Sequence, residues 1–307
     1  MTSTAKPAVK LEDSDLSAIY VSSDAVSGEG QKRTKLSVKV ELAGLIVASL
    51  AGITSFRVGA DKLDLLAAIS GLAFAASLTA TAIRASRKPE GDWYAGRAAA
   101  ESVRTMAWRY AVGGDPFPEA SPDTQAPTRY LRRLQEILHE LRETPLALTA
   151  MDQHEITDAM KKVRESDLAT RQQVYKRDRI EDQLAWYQRR TLSHGKSAKR
   201  WLGVTITASM LGILAAIIKF FGLIEFDMLG VFASVASAGL AWNQLNQHRT
   251  LVSAYSVTAR ELSIIRDRID QVEDDKWAGF VSDSEDAISR EHTMWLARHG
   301  HPVPTQT

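Results

Sequence analysis

Cysteine is absent from the 307 residues. The chain therefore forms no disulfide, zinc–thiolate site or iron–sulfur cluster, and performs no thiol catalysis. Net charge is almost absent too. Lys and Arg number 38 against 37 Asp and Glu, which leaves +1. No general field draws the chain to polyanions, so direct nucleic-acid binding is not expected. Catalytic signatures are also missing: there is no Walker motif, nucleophile elbow or kinase set. His154-Glu155-Ile156-Thr157-Asp158 opens like a zinc-protease helix, but Asp158 stands where the second histidine belongs. His194, His248, His292, His299 and His301 lack ligand spacing. No catalytic residue, cofactor or metal site is assigned, and the chain reads as a non-enzyme.

Long apolar runs are what the sequence does have. Hydrophobic residues make up 45% and charged residues 24%, ordinary averages that conceal a division. Apolar residues gather in four stretches of about 20, the length that crosses a hydrocarbon core as a helix. They run from about Leu36 to Phe56, Leu63 to Ile83, Trp201 to Ile224 and Phe226 to Leu245. The third is the strongest: its large apolar side chains favour insertion by about 4–8 kcal/mol. Its one charge, Lys219, sits near an end, where the stem can snorkel. The second and fourth are diluted by Ala, Gly, Ser and Thr, and would enter as partners in hairpins. The predicted fold class is all-α, an integral membrane protein with four transmembrane helices in two hairpins plus cytoplasmic helical segments.

Basic residues set the orientation. Lys32, Arg33, Lys35 and Lys39 precede the first stretch, and Arg84, Arg87 and Lys88 follow the second. Arg189, Arg190, Lys196, Lys199 and Arg200 precede the third, and Arg249 follows the fourth. The turns within the hairpins hold few cations, offset by Asp61, Asp64, Glu225 and Asp227. Both termini and the central segment are thus expected in the cytoplasm, with Trp201 and Trp242 anchoring the spans at that interface. Residues 1–35 are polar, mixed in charge and unlike a signal peptide. They read as a disordered cytoplasmic arm, with Gly28-Glu29-Gly30-Gln31-Lys32 as flexible linker. A first two-span unit over 36–150 and a second over 151–307 follow.

The two hairpin turns match. Gly59-Ala-Asp-Lys-Leu-Asp64 and Gly222-Leu-Ile-Glu-Phe-Asp227 each place glycine five residues before aspartate. Gly59 and Gly222 are expected to end a helix in a left-handed cap, and Asp64 and Asp227 to cap the next. The order of elements indicates a duplicated two-span unit. Small residues recur along one face of the second span (Ser70, Ser77, Thr81) and of the fourth (Gly230, Ser234, Ser237). They suit close helix packing or pore lining.

Outside the apolar runs, residues 93–110 have a helical pattern that Gly113-Gly114-Asp115-Pro116 breaks. Residues 118–128 read as a loop, and Tyr130, Leu134, Ile137, Leu138 and Leu141 recur at helical spacing. Thr144-Pro145 restarts the chain. A long charged helical pattern from about Asp152 to Ser193 stutters against a heptad, which indicates packed helices rather than one coiled coil. Leu251–Val272 and Ala287–Ala297 read as further helices. Residues 84–200 carry about 22 Lys and Arg against 17 Asp and Glu, while 248–307 carry about 7 against 10. The opposed signs permit the tail to dock on the central segment.

The run Trp93-Tyr-Ala-Gly-Arg97-Ala-Ala-Ala-Glu101-Ser-Val-Arg104-Thr-Met-Ala-Trp108-Arg109-Tyr, followed by Gly114-Asp-Pro-Phe117, resembles a signature of the SLATT family. These are the SMODS and SLOG-associating two-transmembrane effector domains. Tyr175…Arg179-Ile-Glu-Asp-Gln183…Trp186-Tyr187, placed before a span pair, is similar to the family's second pattern. The resemblance covers about residues 35–300 as two tandem units. It implies a multi-pass effector of the bacterial inner membrane in nucleotide-linked antiphage or conflict systems. Such effectors are proposed to oligomerise and permeabilise the membrane alongside nucleotide-generating or nucleotide-sensing partners. Arg97, Glu101, Arg104, Trp108 and Arg109 are the candidate contact cluster for a phosphate-bearing signal or a lipid headgroup, with solvated ion pairing as the plainer reading. The alternative function is a non-permeabilising membrane scaffold.

Overall fold

The structure, a computed structural model, describes residues 9–59, 62–118, 125–140 and 154–298, without side-chain placement for residue 140 and residues 290–298. Asp61, Leu141, Thr144-Pro145, most of the 118–128 loop, the start of the charged helix at Asp152, His299 and His301 lie outside the described residues. Almost everything described is helical. The helices are α1 (Ala18–Ala51), α2 (Leu65–Arg87), α3 (Pro89–Val112), α4 (Ala126–Glu140), α5 (Asp158–Arg164), α6 (Leu168–Val174), α7 (Asp182–Phe220), α8 (Met228–Asn246), α9 (His248–Arg268) and α10 (Trp277–Arg298). A two-residue antiparallel ribbon, Arg57–Val58 against Leu63–Asp64, joins α1 to α2. The all-α expectation holds.

Two compact units emerge. A helical unit takes Met1–Gly30, Glu90–Arg190 and Ala254–Thr307, and a hairpin unit takes Gln31–Pro89 and Thr191–Ser253. The spatial division thus separates charged from apolar sequence, whereas the duplication runs along the chain. The duplication is visible in the backbone. One left-handed residue, Lys88 at φ 44, separates α2 from α3, and Gln247 at φ 44 separates α8 from α9. Neither is glycine, so each of these junctions carries local strain of about 1–3 kcal/mol.

The disordered arm is corrected over its described part. Residues 9–17 are ordered and α1 begins at Ala18, where the Ser17 hydroxyl accepts from the Tyr20 amide at 3.3 Å. Ser23, Ser27, Gly30 and Thr34 are buried at heptad spacing along α1. In the helical unit this stripe meets α3 closely: a Cβ on Gly96 would lie 2.7 Å from the Ser27 amide nitrogen and 2.9 Å from the Ser23 carbonyl oxygen. The Ser27 hydroxyl donates to the Trp93 carbonyl at 3.1 Å. Serine and glycine count as polar in a hydropathy reading, yet their small size is what admits a second helix.

Around α3 the helical unit has a dense core. Val103, Ala107, Trp108, Ala111 and Val112 are buried along that helix. The helix ends at Gly113, with φ +78, and the Gly114 amide donates back to the Arg109 carbonyl at 2.8 Å. Gly114 has no room for a side chain, because a Cβ there would lie 2.4 Å from Val281 Cγ1. The Asp115-Pro116 bond is cis. Phe117 then packs on Tyr110 and Tyr130 with ring centroids 5.8 and 6.0 Å away. The Trp277 indole donates to the Val112 carbonyl at 2.8 Å, which pins α10 to the end of α3.

In the hairpin unit the four expected stretches all fall in helices, with shifted bounds. The first helix ends at Ala51 instead of Phe56, and the fourth begins at Met228. Among the described residues two helices are long and apolar enough to cross a membrane, Leu65–Arg87 and Leu168–Phe220. The last membrane-length stretch of α1 carries Lys35, Lys39 and Glu41, and α8 ends in Asn243, Gln244 and Asn246. These two therefore fall short of that standard on their own. Of the two candidate stretches, only 11% and 17% is buried, unlike the core helices of a water-soluble bundle.

Candidate functional site

The most densely built site of the helical unit lies where α6 passes into α7. Asp167 starts α6 by accepting from the Thr170 amide at 2.7 Å. Between the two helices, Tyr175–Glu181 forms a π-helix. Its wider turn places Tyr175 and Ile180, five residues apart, both fully inside, and brings Arg179 in with them. The heptad stutter seen in the sequence is this turn.

Arg179 meets Glu285 of α10 in a two-pronged pair. Nε donates to Oε1 at 3.0 Å and Nη2 to Oε2 at 2.6 Å, with both side chains wholly buried. The Tyr175 hydroxyl donates to the same Oε1 at 3.0 Å, and Glu101 approaches Arg179 to 3.6 Å. Burial alone would lower the Arg179 pKa, but the facing Glu285 carboxylate outweighs it and holds the guanidinium charged. Burial also pushes the Tyr175 hydroxyl well above its ordinary pKa, so it stays protonated as the donor. Trp108 closes the site against Tyr175, with ring centroids 6.0 Å apart.

The candidate contact cluster turns inward. Arg104 pairs with Asp13 at 2.8 Å, and the Gln183 amide, oriented to accept, lies 2.7 Å from its Nη2. Arg109 pairs with Asp286 at 2.5 Å and donates to the Ser282 carbonyl at 3.2 Å. Arg104 and Arg109 expose 11% and 14% of their side chains, and Trp108 only 1%. Arg97 is half-buried, and Glu101 faces Arg179. Arg104 and Arg109, two of the arginines that suggested a phosphate grip, hold carboxylates of the same unit. Docking of the acidic tail on the basic central segment does occur: Arg179–Glu285, Arg109–Asp286 and Lys176–Asp270 all join them.

The expected packing residues in the hairpin unit divide into two groups. The Ser70 hydroxyl donates to the Ala48 carbonyl at 2.8 Å and Ser77 to the Glu41 carbonyl at 3.0 Å, tying α2 to α1. Ser234 shares a 2.8 Å hydrogen bond with Ser49, joining α8 to α1. Thr81 bonds only within α2, to the Ser77 carbonyl. Gly230 has open space around it and Ser237 is exposed. Sequence reasoning missed Gly44 and Gly239. A Cβ on Gly44 would lie 2.7 Å from the Ala73 carbonyl oxygen, and one on Gly239 would lie 2.9 Å from Thr205 Oγ1.

Two of the four cap assignments are corrected. Asp64 accepts from the Leu66 and Ala67 amides at 3.1 and 3.2 Å, and Gly222, at φ +72, closes α7. There the Leu223 amide donates to the Ile218 carbonyl and the Gly222 amide to Lys219, the paired bonds of a Schellman end. Gly59 instead turns the ribbon, well past the end of α1. Asp227 makes no side-chain cap and lies 3.6 Å from Lys219. Where α7 passes α9, His194 Nδ1 and His248 Nδ1 share a 2.9 Å hydrogen bond. Burial lowers the His248 pKa, and the nearby Lys35 and Arg200 cations lower it further. Among the described residues no group of His, Asp and Glu is placed to hold a metal ion.

Residues 18–172 match the SMODS and SLOG-associating 2TM effector domain 3, and residues 175–295 match the SMODS and SLOG-associating 2TM effector domain 1. The chain belongs to the SLATT family. The two matches are tandem and start at α1 and at the π-helix. The first holds α1 with α2, and the second holds the apolar part of α7 with α8. No curated protein and no solved structure gives a match. SLATT membership and two exposed, membrane-length helices make this a membrane effector of the kind found in conflict systems.

Glu285→Gln is expected to destabilise the chain by about 3–5 kcal/mol by stranding the buried Arg179 charge. Arg179→Met with Glu285→Leu should recover most of that loss. Urea unfolding of detergent-solubilised protein, followed by tryptophan fluorescence, measures both. For His248, the unfolded state titrates near 6.5 and the folded state lower. At pH values above both, the residue contributes no pH dependence. Below about 6.5 the unfolded state takes up protons first, so stability falls as pH drops toward the folded pKa. Thermal melting between pH 7.5 and 5 should show that decline, and His248→Gln should flatten it.

Proposed function

We propose that the hairpin unit crosses the inner membrane of a bacterium four times and, on triggering, assembles with further copies to permeabilise it. One observation carries the reading: a SLATT tandem in which the apolar residues of both hairpins face outward. Leu72, Met210, Ile213 and Phe220 are 72%, 65%, 62% and 83% exposed. Exposing large apolar side chains to water is unfavourable by about 1.5–3 kcal/mol each, whereas hydrocarbon accepts them. Although α1 and α8 are less apolar, each is bound by hydroxyl bonds or close packing to a stronger partner. Insertion as hairpins accounts for all four. The cations flanking the spans support a cytoplasmic position for both termini and the helical unit.

Four helices bound to one another this closely enclose no aqueous lumen, so a conducting path requires several copies. Gly230 and Ser237 lie seven residues apart on α8, uncovered by the described residues. They offer a small-residue surface where another copy can approach. The trigger is a soluble partner that makes or senses a nucleotide signal, in keeping with the family's association with SMODS and SLOG domains. The helical unit supplies its docking platform, and the chain itself performs no catalysis.

Expression in a bacterial host together with the trigger should admit a membrane-impermeant dye. Gly230→Leu with Ser237→Leu should reduce dye entry by tenfold or more without altering the melting temperature. Dye exclusion under every trigger condition, with soluble partners still captured and growth unaffected, would establish the non-permeabilising scaffold instead.

A further inference from the structure

The cytoplasmic end of the hairpin unit carries a row of four side chains that the proposed pore activity does not use. Lys39 of α1 sets its ammonium 5.6 Å from the centroid of the Trp242 ring on α8. Trp242 lies 6.1 Å from Trp201 of α7, and the Arg200 guanidinium lies 5.7 Å from the Trp201 ring. The order is cation, indole, indole, cation, drawn from three helices. An indole face orients a cation without neutralising it, because the ring carries no net charge. Lys39 and Arg200 are exposed, and among the described residues neither has an ion pair. Glu41, the one acid described near this end, is taken by Arg84 at 3.2 Å. The other described acids of the unit, Asp64, Glu225 and Asp227, belong to the hairpin turns. Lys35 adds further positive charge beside His248.

We propose that Lys39 and Arg200, seated on Trp242 and Trp201, bind the phosphates of anionic phospholipid headgroups. The inference rests on the membrane reading of the hairpin unit. The two indoles fix the row at the depth where tryptophan settles, between hydrocarbon and water, and that is also the depth of lipid phosphates. A guanidinium offers a fork matched to phosphate oxygens, and an ammonium offers three donors, so both cations gain charge-assisted hydrogen bonds there. Anionic lipid at this seam would hold α1, α7 and α8 together at their cytoplasmic ends.

Electron spin resonance of spin-labelled lipids tests the site, using the full chain reconstituted in phosphatidylcholine vesicles. Spin-labelled phosphatidylglycerol should be immobilised with about tenfold preference over spin-labelled phosphatidylcholine. Lys39→Gln with Arg200→Gln should bring the two lipids close to parity. Arg57→Gln with Lys62→Gln, at the hairpin turn, should leave the preference intact. Inorganic phosphate at millimolar concentration should not compete. Absence of preference in the unaltered chain, or its retention in the Lys39/Arg200 variant, would overturn the site. Competition by inorganic phosphate would assign the row to a soluble anion and overturn the lipid source. Carbonate washing separates the two levels: a chain that stays in the vesicles without lipid preference refutes only the headgroup site, whereas release from the vesicles refutes the membrane reading as well.

Discussion

Apolar side chains that no other described part of the protein covers are the constraint on which the remaining structure depends. Leu72, Met210, Ile213 and Phe220 alone would cost about 6–12 kcal/mol if left in water. That sum is comparable to the whole stability of an ordinary domain. These side chains, on α2 and α7, suit a solvent of hydrocarbon better than water. Within that solvent no hydrophobic force drives helices together, and contact relies on close backbone approach and hydroxyl bonds. Gly44 against Ala73, Gly239 against Thr205, and Ser49 with Ser234 supply both.

The helical unit obeys the opposite rule. It hides charge in its core. Arg179 and Glu285, with neither exposed, tie the C-terminal helix to the π-turn, and Arg109 with Asp286 and Trp277 with Val112 repeat that tie along α10 and α3. A buried pair of this kind is costly to desolvate, and its value is in specifying one arrangement rather than in raw stability. It fixes the acidic tail on the basic central segment.

Much of the architecture was legible from residue order alone. Hydropathy located both hairpins, whereas the heptad stutter read as a break between packed helices and is carried at Tyr175–Glu181 by a π-turn inside a continuing helix, where a five-residue step between Tyr175 and Ile180 fits no regular α-helical face. Opposed charges foretold the docking of the tail. The order of the α1 stripe was not legible: Ser23, Ser27, Gly30 and Thr34 read as polar linker, and only the approach of Gly96 turns their smallness into packing. The Arg179–Glu285 pair was equally hidden, since a separation of 106 residues has no signature in local spacing. The cluster of Arg97, Glu101, Arg104, Trp108 and Arg109 was found, and its plainer reading as ion pairing fits Arg104 with Asp13 and Arg109 with Asp286, but the partners come from distant parts of the chain and the arginines are largely buried rather than solvated. Asp227 shows that matching turn sequences need not share a hydrogen bond.

The lack of native cysteine allows the membrane topology to be measured without background. Single cysteines at Val58, Ile213 and Ser253, probed in intact cells with a membrane-impermeant maleimide, test the central claim directly. Four crossings with a cytoplasmic helical unit predict labelling at Val58→Cys alone, with Ser253→Cys reacting only after the membrane is opened and Ile213→Cys shielded throughout. Equal labelling of Val58→Cys and Ser253→Cys, or ready reaction at Ile213→Cys, would contradict it.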